Sequence, residues 1–168
     1  MLVYKRPPDQ SYMFTLSGGK TGVLQTVSLM RQIVDRFKTD SQIRNLALSL
    51  VSFLPPKDET GEINAIFQYV RDDIRYVKDV YDVETIHTPD QIIKLAQGDC
   101  DDKSVLLAVL LESIGYQTYF KVTGYHGSDY EHVYVYVSGL GVAMHLDATE
   151  PESAGWEAPG ATCWMYCE

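Results

Sequence analysis

Gly98-Asp99-Cys100-Asp101-Asp102-Lys103-Ser104 runs directly into Val105-Leu106-Leu107-Ala108-Val109-Leu110-Leu111. The polar first turn, the apolar run and Gly115 beyond it predict a helix over about 100–114 with Cys100 in its opening turn. A free thiol is mostly protonated at neutral pH, and the unpaired N–H groups and partial positive charge of a helix N-terminus favour its anion. The same amides can receive an oxyanion during attack on a carbonyl. Gly98 lets the chain turn tightly there and approach a substrate. Asp99, Asp101 and Asp102 favour the helix start but oppose a second negative charge on sulfur, weakly if they are solvated. A close imidazolium would outweigh them, so this chemistry requires a histidine against Cys100.

Working outward, Thr118–Val122 reads as a strand, and His132-Val133-Tyr134-Val135-Tyr136-Val137 alternates with a period of two. Ser138-Gly139-Leu140-Gly141 reads as a hairpin connection, and Val142–Asp147 as the return strand. His132 opens one strand and Asp147 closes the next, which makes them neighbours. The aspartate would fix the imidazole's tautomer and stabilise its charged form. Alternation puts His132 with Tyr134 and Tyr136. Either that face meets the helix N-terminus or the strand bends near His132. Of the other histidines, His126 reads as a loop residue bordering a cleft, His145 as a partner on the Asp147 strand face, and His87 as a surface residue.

Upstream, apolar residues recur at helical spacing over Val23–Phe37, over about 41–53, and from near Thr60 through Ile74. Pro55-Pro56 ends the second helix, and Thr88-Pro89 opens a short one to Ala96. Helices first and antiparallel strands second make an α+β domain. Residues 1–21 read as an extended arm, with a turn at Ser17–Gly22, and 22–168 as one domain. Gly18–Gly22 invites a phosphate-loop reading, but Phe14 stands where that motif needs glycine.

The net charge of −9 argues against nucleic-acid binding. Residues 1–54 carry seven Lys/Arg against three Asp/Glu, so the basic N-terminal third either packs on the acidic remainder or docks on another protein. No apolar run reaches the roughly 18–20 residues of a membrane span. With no signal-peptide core at the N-terminus, the expected location is a reducing cytoplasm. Cys163 and Cys167 lack the partners of a zinc site, Lys103 stands at a ligand position of a calcium loop, and no metal or other cofactor is expected.

Gly98-Asp99-Cys100 leading into an apolar helix, His132-Val133-Tyr134-Val135, and Leu146-Asp147-Ala148-Thr149-Glu150-Pro151 together resemble the transglutaminase-like superfamily of papain-like cysteine enzymes. The resemblance covers residues 60–151, and Phe67–Tyr76 resembles the helix these domains place before their core. It implies a papain-like fold, with Cys100 as nucleophile, His132 as base and Asp147 as orienting acid. Gly98, Asp99, Tyr76, Gln97 and Tyr134 are then the residues expected around substrate and oxyanion. Both tryptophans lie C-terminal to Cys100, so Tyr76 or Gln97 would replace the tryptophan oxyanion donor of animal cross-linkers. That departure favours hydrolysis over cross-linking. The finer resemblance is to short proteins of tailed phages and prophages, made in a bacterial host. It implies protein or peptide substrates, or a virion module of this fold that binds phage structural proteins through the basic arm.

Overall fold

The computed structural model describes residues 19–78, 85–127, 129–139 and 141–168. Five helices and a four-stranded antiparallel sheet enclose one core, the α+β arrangement expected. Its axis is helix α5 (Cys100–Ser113), in which twelve of fourteen residues are buried. Such a helix has no solvent face and must be surrounded. Helices α1 (Gly19–Phe37), α2 (Ser41–Val51), α3 (Glu59–Gln68) and α4 (Pro89–Leu95) pack around it, and the sheet closes the remaining side. Each outer helix contributes a narrow apolar stripe: Val27, Met30 and Val34 from α1, Ile43 and Ala47 from α2, Ile63, Ile66 and Phe67 from α3.

The sheet runs in the order β5 (Val142–Leu146), β4 (His132–Gly139), β3 (Gln117–Gly124), β6 (Cys163–Cys167), every pair antiparallel. Phe120, Val122, Val133, Val135, Val137 and Leu146 fill its helix-facing side. Gly139 and Gly141, both at positive φ, flank the β4–β5 hairpin. Strand β6 is not expected from the sequence. Its register on β3 turns Met165 and Cys167 toward the core and leaves Trp164 58% exposed, so the two terminal thiols sit in an edge strand.

Four further features depart from the sequence reading. Gly19–Gly22 opens α1 instead of forming a turn, so the expected arm's last three residues are helical; its other residues, 1–18, lie outside those described. Helix α3 ends at Gln68 and passes into a π-helical turn over Tyr69–Asp73, which keeps Val70 buried. Two two-residue strands, β1 (Arg75–Tyr76) and β2 (Gln97–Gly98), pair in parallel and hold Tyr76 beside the start of α5. Ala96, in the left-handed region, makes the turn from α4 into β2. Finally, His87 is not a free surface residue but is bonded to a buried carboxylate, as described below.

Candidate active site

Asp99 caps α5: its Oδ1 accepts from the backbone N–H of Asp101 at 3.0 Å and of Asp102 at 3.1 Å. This fixes the turn that carries Cys100. Asp102 is 1% exposed, and each of its oxygens bonds to His87, one to the backbone N–H and one to Nδ1, both at 2.8 Å. Gly98 is the residue that makes room for this carboxylate. A Cβ there would stand 2.5 Å from Asp102 Cβ and 2.9 Å from Oδ2. Its role is clearance beneath the helix start, and it does not line the cavity described next.

Cys100 and His132 line the same cavity, of about 700 Å³. Its walls come from the first turns of α1 (Lys20, Val23), from Tyr76 and Lys78 at the end of β1, and from the Asp129–Glu131 approach to β4. His132 Nε2 lies 2.7 Å from Asp147 Oδ2, and among the described residues no carboxylate bonds to Nδ1. Asp147 is 4% exposed and just past the end of β5. Its other oxygen accepts from the Thr149 hydroxyl at 2.6 Å and the Thr149 N–H at 3.1 Å. Burial works to raise the Asp147 pKa, but His132 and Thr149 outweigh it and hold the group ionised below the usual carboxylate range.

Of His132, Tyr134 and Tyr136, which share one face of β4, only His132 lines the cavity, so the tyrosine face as a whole does not meet the start of α5. His132 and Tyr134 have ring centroids 5.7 Å apart, on the side of β4 away from α5, and His132 at the strand's start still reaches the cavity. The backbone of Val133 bonds to the Cys100 sulfur and favours its anion. Burial dominates the thiol's environment, however, and together with Asp101 and Asp99 it pushes the pKa well up. Asp99, Asp101 and Asp102 are not solvated; all are at most 6% exposed.

Among the other expected residues, Tyr76 lines the cavity, and burial followed by the nearby Cys100 pushes its pKa up to about 12, so it remains a hydrogen-bond donor. Gln97 and Tyr134 do not line the cavity. The Gln97 Oε1 accepts from Arg75 at 2.8 Å. Tyr134 is buried on the outer sheet face, where its hydroxyl donates to Glu157. Glu157 also pairs with Lys121 and with His145 Nδ1, which ties the segment after Asp147 down onto the sheet. His145 thus belongs to the Glu157 cluster, and exposed His126 bonds Glu131 on the cavity wall.

The sequence reading missed Lys103. It is 2% exposed, and its ammonium donates to the carbonyls of Ile74 at 2.8 Å and Arg71 at 3.2 Å. It thereby ties α5 to the π-turn immediately before β1. A lysine on a helix with no polar face had to be buried, which was the available signal. Among the described residues, no group of three or more His, Cys, Asp or Glu is arranged to hold a metal ion, and no helix is long and apolar enough to cross a membrane.

Solved structures of similar fold include a candidate protease from Parabacteroides distasonis ATCC 8503, with TM-score 0.59 and 16% identity over 74% of this chain. This chain spans 26% of that protein's length. EGTA-treated LapG of Legionella pneumophila gives TM-score 0.55 and 16% identity, covering 80% of this chain and 77% of LapG. A candidate cysteine protease from Cytophaga hutchinsonii gives 0.52 and 12%, covering 87% of this chain and 55% of the other. At these identities the likeness is one of fold. No curated protein matches the sequence. The family model for the transglutaminase-like superfamily matches residues 49–156, a span that contains Cys100, His132 and Asp147, and the chain belongs to that superfamily.

Proposed function

We propose that this protein is a cysteine-dependent enzyme that cleaves amide bonds of proteins or peptides, with Cys100 as nucleophile, His132 as general base and acid, and Asp147 as the group that orients the ring. The observation that carries this reading is the 2.7 Å bond between His132 Nε2 and buried Asp147, with Cys100 on the same cavity as His132; the reading assigns the opposite ring nitrogen to the sulfur. His132 Nδ1 takes the thiol proton as sulfur bonds to the amide carbon. The imidazolium then protonates the departing amine, and an acyl-thioester remains. Water attacks the thioester carbon and gives its proton to His132. The C–S bond breaks, and the acid is released as the thiol reforms. The amides of the first turn of α5 and the Tyr76 hydroxyl are the donors for the oxyanion.

Water is the acceptor proposed here; a lysine amine in its place would give an isopeptide bond. The fold of the protease-like structures above supports the hydrolytic choice. The test is intact mass after incubation with a carboxamide-rich peptide and a primary amine, with Cys100→Ala as control. Cleavage or deamidation that depends on Cys100 supports hydrolysis, and amine incorporation replaces it with transfer. No Cys100-dependent product across a diverse peptide library would overturn the enzyme reading.

A further inference from the structure

The cavity presents an unusual juxtaposition: a carboxylate in hydrogen-bond contact with the candidate nucleophile. The Cys100 thiol donates to Asp101 Oδ1 at 3.6 Å, a normal S–H···O separation, and Asp101 is 6% exposed. We propose that Asp101 is a brake on Cys100, holding sulfur as a resting thiol until His132 takes the proton. This deepens the reading above and rests on it.

The titratable groups that line the cavity with Cys100 come from several elements. From the cap of α5 comes Asp99 and from its first turn Asp101; from β1, Tyr76; from the residue after Val77, Lys78; from α1, Lys20; and from β4 and its approach, His132, Asp129 and Glu131. Lys20, Lys78 and a protonated His132 favour the thiolate, and the four carboxylates oppose it. Asp99 and Asp101 oppose it most closely, but they differ in their second duty. The Asp99 Oδ1 is engaged by two backbone N–H groups, so its loss would unwind the helix start. Asp101 contacts the sulfur itself, with one backbone atom in that cap and its carboxylate outside it. The helix start is thus secured by one acid while its neighbour governs the thiol.

The consequence is a protein whose nucleophile is unreactive toward adventitious electrophiles and is released by proton transfer to the ring. Replacing Asp101 by an uncharged residue should therefore make the thiol more reactive, the reverse of what removing a helper does.

The test is the second-order rate of iodoacetamide alkylation of Cys100 between pH 6 and 9, read by peptide mass. The proteins are the parent, Asp101→Asn, Asp101→Ser, His132→Ala and Asp101→Asn/His132→Ala, each shown folded by circular dichroism. Loss of a contacting charge raises the thiolate fraction while lowering its intrinsic nucleophilicity, so alkylation at pH 7 should rise about fivefold to tenfold in both Asp101 variants. The same acceleration should appear in the double variant relative to His132→Ala, because it acts on the sulfur directly. Asp101 variants that react at the parent rate or more slowly, in both backgrounds, overturn the brake. His132→Ala reacting as fast as the parent counts against the enzyme reading instead, so the two failures are distinguishable. Should Asp101→Asn not fold, Asp101→Ser carries the comparison.

Discussion

Gly98→Ala isolates how the nucleophile's turn is built. The added Cβ would lie 2.5 Å from Asp102 Cβ and 2.9 Å from Oδ2, well inside van der Waals contact. Rotating the Asp102 side chain relieves the second overlap but not the first, because Asp102 Cβ is fixed by the backbone of α5. The β2–α5 junction must therefore open. Overpacking of this kind costs about 1–3 kcal/mol. Displacing Asp102 also weakens the two bonds that its buried carboxylate makes to His87, for roughly another 1.5–3 kcal/mol. Urea unfolding followed by circular dichroism should thus show a loss of about 2.5–6 kcal/mol by the sum of these terms. Cys100 alkylation should change as well, because the same junction carries the thiol. Asp102→Gly removes the obstructing atom, so it should cost less in the Gly98→Ala background than in the parent. A Gly98→Ala protein within 0.5 kcal/mol or so of the parent would refute the reasoning, since surface substitutions alone stay in that range.

Asp147→Asn keeps the shape beside His132 but removes the charge that stabilises an imidazolium, so Cys100-dependent turnover should fall at least about a hundredfold with little change in KM. Steady-state kinetics on any substrate found in the mass assay will check this. Phe120→Ala, at a fully buried position under α5, should cost about 3–5 kcal/mol in urea unfolding. Burial lowers the Lys103 pKa to about 8, so between that pH and the ordinary lysine value near 10.4 the unfolded chain binds more protons at this site than the folded one. The Lys103 contribution to stability therefore rises with pH across that window. Comparing urea midpoints of the parent and Lys103→Met from pH 7.5 to 10 should show the parent gaining relative to the variant.

The sequence disclosed what rests on local pattern. The apolar run after Ser104, the proline behind Thr88 and the period-two alternation from His132 each correspond to an element of the structure. His132 and Asp147 are joined as hairpin pairing suggested, although the register sets Asp147 beyond the last paired residue of β5. What stayed hidden depends on distant partners. Cys163-Trp164-Met165-Tyr166-Cys167 alternates, but only the free edge of β3 makes it a strand. The π-turn over Tyr69–Asp73 continues α3 without a break in helical backbone at Gln68, so no side chain announces it. His87 is isolated in the chain, and its partner Asp102 lay within a cluster whose burial the polar first turn concealed. Tyr134 was misread for a related reason: the acid that engages its hydroxyl, Glu157, is 23 residues away.

The all-round burial of α5 has a consequence for motion. Fraying α5 past its first turn would break the centre of the core, so that opening costs close to the free energy of unfolding the whole domain. Asp147 instead lies past the end of a five-residue edge strand, and the segment following it is tied down by Glu157 at the molecular surface. Amide exchange should accordingly be slow throughout Val105–Leu111 and faster around Thr149–Glu157. The sulfur is mounted on the slowest part of the molecule, and the carboxylate that steers its base on one that can loosen while the rest stays folded.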